Sequence, residues 1–254
     1  MSIISELILG FPKNSIKKVA DIGCGSGELI YELRNSCEYL VGVDIAKGLL
    51  EKARYKLNAQ KTTTGKIEFI ISQAEKLPFK NRAFHSAVYS EIIEHSRSVT
   101  DILNEANRIL VNGGYILITI PVWWVETIIT FFDKEFMKFS GHVKRFRLRE
   151  LKYLLARHGF KVVKIRNYYF EWAFFYTISA IYSRRFRDID RRGDRYGAAL
   201  KKTYWDNIES VMKKIITRGQ KIFPISIIFN LLNFIYPKSY ILVCRKNHMV
   251  TVGP

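Results

Sequence analysis

The stretch Val19-Ala20-Asp21-Ile22-Gly23-Cys24-Gly25-Ser26-Gly27 decides how this chain is read. Residues 18–22 form a short, mostly apolar run that predicts a buried strand. The three glycines that follow predict a turn, and residues 28–36 predict a helix with Leu29, Ile30 and Leu33 on one side. Glycines at the end of a strand allow turns that other residues resist and let a ligand come close to the main chain. Moving outward, 39–43 is a second apolar strand, and it ends at Asp44, 19 residues after Gly25. An acid in that place can accept hydrogen bonds from both hydroxyls of a ribose. A lone glycine turn would say little. Strand, glycine turn, helix, strand and acid in this order point to a bound nucleoside.

The spacing narrows the choice. A dinucleotide fingerprint runs G-x-G-x-x-G, and its third glycine would fall at Glu28. Here the pattern is G-x-G-x-G with Asp21 on the preceding strand. An acid beside the ligand suits a cation better than a pyrophosphate. S-adenosylmethionine carries a sulfonium and an ammonium and no phosphate. A bare turn without ligand and a NAD(P) or flavin site are the alternatives.

The remaining chain predicts an α/β protein. Residues 47–60 read as a helix, 67–71 as a third strand, and 86–90 as a fourth after the loop Leu77-Pro78-Phe79-Lys80-Asn81-Arg82. Residues 99–110 read as a helix stopped by Asn112-Gly113-Gly114, followed by a strand over 115–120 that closes at Pro121. A helix over 149–158 capped by Gly159, a strand over 160–169 and a last strand over 239–246 complete seven strands. Short apolar strands alternating with amphipathic helices imply a mostly parallel sheet with helices on both faces. The domains expected are 1–169 with 239–254, and a helical insertion at 170–238 that ordinary α/β logic does not require.

Composition and charge bound the function. The 254 residues are 48% hydrophobic and 25% charged, which excludes collagen-like, coiled-coil and wholly disordered chains. The three cysteines, Cys24, Cys37 and Cys244, lack metal-ligand spacing and fit a reducing compartment. The N-terminus has no basic region before its short apolar run, so a secretory signal is not expected. Residues 222–236 are apolar but interrupted by Pro224, Asn230 and Asn233, and are shorter than the roughly 20 residues of a spanning helix. The net charge of +18 is uneven. Residues 1–140 hold 17 Lys and Arg against 16 Asp and Glu, whereas 141–254 hold 24 against 7. The first half suits a small cofactor and the second an anionic partner. The expected location is cytoplasmic, with peripheral attachment to an anionic membrane surface.

With these motifs in view, the chain resembles the class I S-adenosylmethionine-dependent methyltransferases, and within them the small-molecule branch that includes quinone-biosynthesis enzymes. Asp21 to Gly27 matches the family's first motif, and Val41-Gly42-Val43-Asp44 matches the second. Gln73-Ala74-Glu75-Lys76-Leu77-Pro78-Phe79 with Phe84-His85-Ser86-Ala87-Val88 resembles the third and fourth. Arg108-Ile109-Leu110-Val111-Asn112-Gly113-Gly114 resembles the approach to the fifth strand. The resemblance implies a Rossmann-like fold and S-adenosyl-L-methionine as cofactor, held by Asp21, Gly23, Cys24, Gly25, Gly27, Asp44, Ile45, Gln73, Ala74 and Ser90. Gln73 stands where the family usually has Asp, and its amide oxygen accepts the same hydrogen bond. His85 stands where an Asp usually follows the Phe.

The acceptor side is less determined. Ser90-Glu91-Ile92-Ile93-Glu94-His95 offers His95 as a general base, with a histidine bonded to backbone at a helix start as the alternative. The resemblance to quinone O-methyltransferases also makes Glu91, Glu94 and His95 a candidate divalent-metal set on one helix face, against solvated acids as the plainer reading. It further makes His142 a candidate substrate contact. The aromatic residues of 168–182, the arginines Arg184, Arg185, Arg187, Arg191 and Arg192, and the apolar run 222–236 suggest a lid over an apolar or lipid-like acceptor. Two other readings stand beside it: a methyltransferase acting on RNA or another macromolecule, and a non-catalytic membrane or nucleic-acid binder with a retained cofactor fold.

Overall fold

The computed structural model describes residues 1–59, 65–132, 140–168, 173, 177, 232 and 236–247. The chain divides into two units, Met1–Ile120 with Phe146–Arg166 and Ile241–Pro254, and Pro121–Arg145 with Asn167–Tyr240. Segment 121–145, assigned from the sequence to the first domain, thus groups with the second. Most of 170–238, including the five arginines of the expected lid, lies outside the described residues.

The first unit is built on seven strands in the order β3-β2-β1-β4-β5-β7-β6. These are β1 Lys18–Ile22, β2 Tyr39–Asp44, β3 Lys66–Ile71, β4 Phe84–Ser90, β5 Leu110–Pro121, β6 Phe160–Tyr168 and β7 Ser239–Lys246. The pairings from β3 through to β5 are parallel. β7 runs antiparallel to β6, because Lys238 N donates to Tyr168 O at one end and Asn247 N to Gly159 O at the other. The expected seven-stranded, mostly parallel Rossmann-like sheet is therefore what the chain forms. Its inner strands are apolar nearly throughout: Val19, Ala20 and Ile22 of β1, Leu40, Val41 and Val43 of β2, and Ile116 to Ile118 of β5 are all buried. A strand covered on both faces needs such a run.

The helices are α1 Ile3–Leu9, α2 Glu28–Leu33, α3 Lys47–Asn58, α4 Val99–Ile109, α5 Trp123–Phe132 and α6 Leu148–Arg157. α4 buries Val99, Ile102, Leu103, Ala106 and Ile109, spacings that make one apolar stripe. The chain winds outward from β1 to β3 and then returns to β4. Right-handed crossovers put α2 and α3 on one face of the sheet and α4 on the other. The reversal leaves a crevice at the carboxyl ends of β1 and β4, where α/β sheets bind ligands.

One local expectation fails. Asn112-Gly113-Gly114 does not cap α4. That helix stops at Ile109, with Leu110 already extended at φ −83° and ψ 140°. The three residues lie inside β5, where the register passes from Phe84 opposite Leu110 to Ser86 opposite Tyr115. A β-bulge absorbs the surplus residues, with Gly113 at φ 75°. A Cβ on Gly114 would come within 2.8 Å of His85 O. Glycine followed by a strand reads alike for a helix cap and a bulge, so the sequence did not separate them.

Within the second unit, Val122, Val125 and Ile129 pack with Ala173, and Trp124 sets its ring edge-on to Tyr236 at 5.1 Å. Thr177 Oγ1 and the Tyr236 hydroxyl are 2.7 Å apart. No helix among the described residues is long and apolar enough to cross a membrane.

Candidate active site

β1 lies between β2 and β4, with Ile22 level with Val43 on one side and Tyr89 on the other. The residues that follow these three partners converge. Gly23 N and Cys24 N both donate to Val43 O, at 2.7 and 3.0 Å, so the turn starts tied to β2. Asp44 then fixes it from the next strand. Its Oδ2 accepts the Gly25 N–H and its Oδ1 the Ala46 N–H, each at 2.8 Å. A carboxylate oxygen has about two lone pairs, so both keep room for a ligand hydroxyl. The sequence marked Asp44 as a ligand contact but not as the residue that shapes the glycine turn.

Gly23 is required twice over. Its φ is 75°, and a Cβ there would sit 1.9 Å from Ile92 Cδ1. Asp21 lies beneath the turn and is 4% exposed. Burial, with smaller contributions from the Asp44 and Glu28 charges, pushes its carboxyl up to about 7. Cys24 is buried beside these acids. Its thiol is pushed far up, first by desolvation and then by Asp21 and Asp44, so it is no nucleophile at neutral pH.

Around this turn lies a cavity of about 280 Å³. Of the ten cofactor residues expected from the sequence, Gly23, Asp44, Ile45, Gln73 and Ala74 line it. Asp21, Cys24, Gly25 and Gly27 belong to the strand and turn behind. The Ser90 hydroxyl sits 3.1 Å from Thr119 Oγ1 instead. Ser72, Glu75, Ile92, Ser96 and Ile102 also line the cavity and were not singled out. Ser96 Oγ donates to Glu75 at 2.5 Å, joining the loop after β3 to the turn after β4. No motif advertises that link, because it depends on how two distant loops meet.

The lining is chemically one-sided. It contains Asp44 and Glu75 and neither Lys nor Arg. Ile45 keeps 67% of its surface exposed while lining the cavity, an apolar face available to a flat base. These features fit S-adenosylmethionine, an uncharged adenosine attached to a sulfonium. A pyrophosphate would find no cation.

Residues 91–95 do not form the helix on which Glu91, Glu94 and His95 would share a face. β4 ends at Ser90, Glu91 takes φ 53°, and only Ile93–His95 coils, as a single 3₁₀ turn. Glu91 N–H is held by Thr119 Oγ1 at 2.8 Å. The shared helix face expected for Glu91, Glu94 and His95 therefore does not form. Glu94 is buried, and His95 is exposed at the cavity. His142 belongs to the second unit, where its Nδ1 lies 2.5 Å from Oε1 of Glu126, a buried acid of α5.

The comparisons agree with this geometry. The family described as "Methyltransferase domain" matches residues 20–118. An uncharacterized protein of Methanocaldococcus jannaschii is 33% identical over 117 residues, 44% of this chain and 41% of that protein. The demethylmenaquinone methyltransferase of Lactococcus lactis is 26% identical over 145 residues, 54% of this chain and 56% of its own. The chain thus spans about half the length of these curated relatives. Among solved structures, phosphoethanolamine N-methyltransferase 2 of Haemonchus contortus in complex with S-adenosyl-L-methionine superposes with a TM-score of 0.62. That likeness covers 96% of this chain and 52% of that one at 17% identity, a likeness of fold. The glycine turn and the acid at the end of the second strand thus lie within residues 20–118, the segment that matches a methyltransferase domain.

Proposed function

We propose that this protein transfers a methyl group from S-adenosylmethionine to a small, apolar, lipid-like acceptor. The observation that carries the cofactor half is the cavity beside the Gly23 turn, acidic at Asp44 and Glu75 and without Lys or Arg. Asp44 would hold the ribose, Ile45 and Ala74 the faces of the base, Gln73 its amine edge, and the Asp21 strand and turn the cationic end. When bound, S-adenosylmethionine supplies a methyl group made electrophilic by the sulfonium. The protein's remaining tasks are to align an acceptor, exclude water and receive a proton where the acceptor loses one. His95, exposed at the cavity, is the proposed base. His142, oriented by Glu126, is the second candidate.

The acceptor class rests on three supports. The described part of the second unit is an aromatic and aliphatic cluster around α5. The sequence of 168–182 and 222–236 adds further apolar blocks beside basic residues. One relative is named a demethylmenaquinone methyltransferase. Charge makes RNA the competing acceptor. Incubation with methyl-labelled S-adenosylmethionine and separate lipid and RNA extracts tests the choice. Label in the lipid fraction is expected, and label confined to RNA overturns the apolar-acceptor reading.

A further inference from the structure

A larger cavity, about 630 Å³, lies within the first unit at the opposite pole of the sheet. It opens where β4 and β6 begin and β7 ends. Arg82, Arg108, Arg157 and Lys246 line it, together with four asparagines and His158, and no acid does. The cofactor cavity has the reverse chemistry.

Local structure accounts for two of the cations. Arg108 is clasped by Glu105 at 2.7 Å and donates to Leu77 O and Phe79 O. Lys246 is 4% exposed and donates to Asn107 O and Leu110 O, at 2.6 and 2.8 Å, capping the carboxyl end of α4. Those carbonyls take two of its three hydrogens and leave its charge without a carboxylate. Arg82 and Arg157 are not accounted for. Arg82 stands in the loop before β4 with φ 56°, and Arg157 at the end of α6 lies 5.8 Å from the Tyr153 ring. Among the described residues no carboxylate forms an ion pair with Arg82, Arg157 or Lys246. The ammonium of Lys246 is held below its usual pKa by burial and, second, by the charge of Arg82, which lines the same cavity. Three uncompensated cations beside amides capable of donating hydrogen bonds form a receptor for a phosphate-bearing anion.

We propose that this cavity binds a phosphate-bearing group of two or more charges, through Arg82, Arg157 and the buried Lys246. The site is separate from methyl transfer, since it lies at the amino ends of the parallel strands and the cofactor residues lie at their carboxyl ends.

The test uses pyrophosphate as the probe, titrated into the full chain by calorimetry at low ionic strength. Binding is expected, weakening as salt rises. The double variant Arg82→Gln, Arg157→Gln should bind at least about tenfold more weakly. Both side chains are exposed, so the variant should fold, and unchanged melting temperature and S-adenosylhomocysteine affinity verify it. Vesicles containing phosphatidic acid form the second arm. Sedimentation that is lost in the double variant and competed by pyrophosphate supports the same phosphate site with a lipid headgroup as its source. Wild-type protein that binds neither probe, or a double variant that binds as the wild type does, overturns the proposal.

Discussion

Asp21 is a carboxyl group kept from water by the fold, and it makes an expectation about pH. Its folded pKa is raised from 3.8 to about 7, chiefly by burial. An acid with a raised folded pKa keeps its proton in the native state after the unfolded chain has lost it. Stability then falls as pH rises from near 4 to near 7, and the loss is complete above 7. Asp21→Asn removes the titration while keeping the shape. The variant should melt within error of the wild type at pH 4 and several degrees higher at pH 8, measured by calorimetry without ligand. Equal melting temperatures at pH 8 would mean that Asp21 is solvated. His95 makes a second expectation at this scale. If it takes the acceptor's proton, His95→Ala should lower turnover by ~10²–10⁴-fold and leave S-adenosylhomocysteine affinity unchanged. Activity within a few-fold of wild type would assign it to the cavity wall alone.

At the scale of elements, the turn after β1 and the bend after β4 are coupled through one contact. Ile92 occupies the space a Cβ on Gly23 would need. Gly23→Ala should therefore displace Ile92 into the cofactor cavity and weaken S-adenosylhomocysteine binding by roughly tenfold or more, the strain at φ 75° adding to the clash. Ile92→Ala in the same chain should recover part of the loss. A double variant no better than Gly23→Ala would show that backbone strain, and not the contact, is responsible. The contrast explains what was legible. Strand, turn and helix around Gly23 are written in local periodicity and glycine spacing, and Asp44 follows from its distance along the chain. Ile92 and Ser96 reach the cavity from the two ends of a single 3₁₀ turn, too short to leave a periodicity in the sequence. The bulge at Gly113 was misread for a similar reason: a glycine reports permissive backbone and not which element uses it. Glu126 carried no signal, since an acid in an apolar helix gains meaning only from the histidine folded onto it.

For the whole molecule, charge is the organising quantity. Residues 141–254 hold almost all of the net +18, while the cofactor cavity contains no Lys or Arg. Attraction to an anionic surface and cofactor binding should therefore separate under mutation. Arg184, Arg185, Arg187, Arg191 and Arg192 lie outside the described residues, and their expectation comes from sequence. At about 1 kcal/mol for each basic residue near an anionic surface, five contribute a substantial affinity. Replacing all five by Gln should abolish sedimentation with anionic vesicles and leave S-adenosylhomocysteine affinity unchanged. Vesicle binding that survives would move the membrane contact elsewhere.

The central claim is that the cavity beside the glycine turn holds S-adenosylmethionine, with Asp44 as its anchor. Calorimetric titration of S-adenosylhomocysteine into the wild type and into Asp44→Ala tests it most directly. The variant loses the acceptor for the ribose and the bonds that hold Gly25 and Ala46. With charge-assisted hydrogen bonds contributing roughly 1.5–3 kcal/mol each, two of them correspond to an affinity at least about 100-fold lower. The account predicts saturable one-to-one binding by the wild type and that loss in the variant. Wild-type protein that takes up no ligand at millimolar concentration, or a variant that binds as tightly as the wild type, would contradict it.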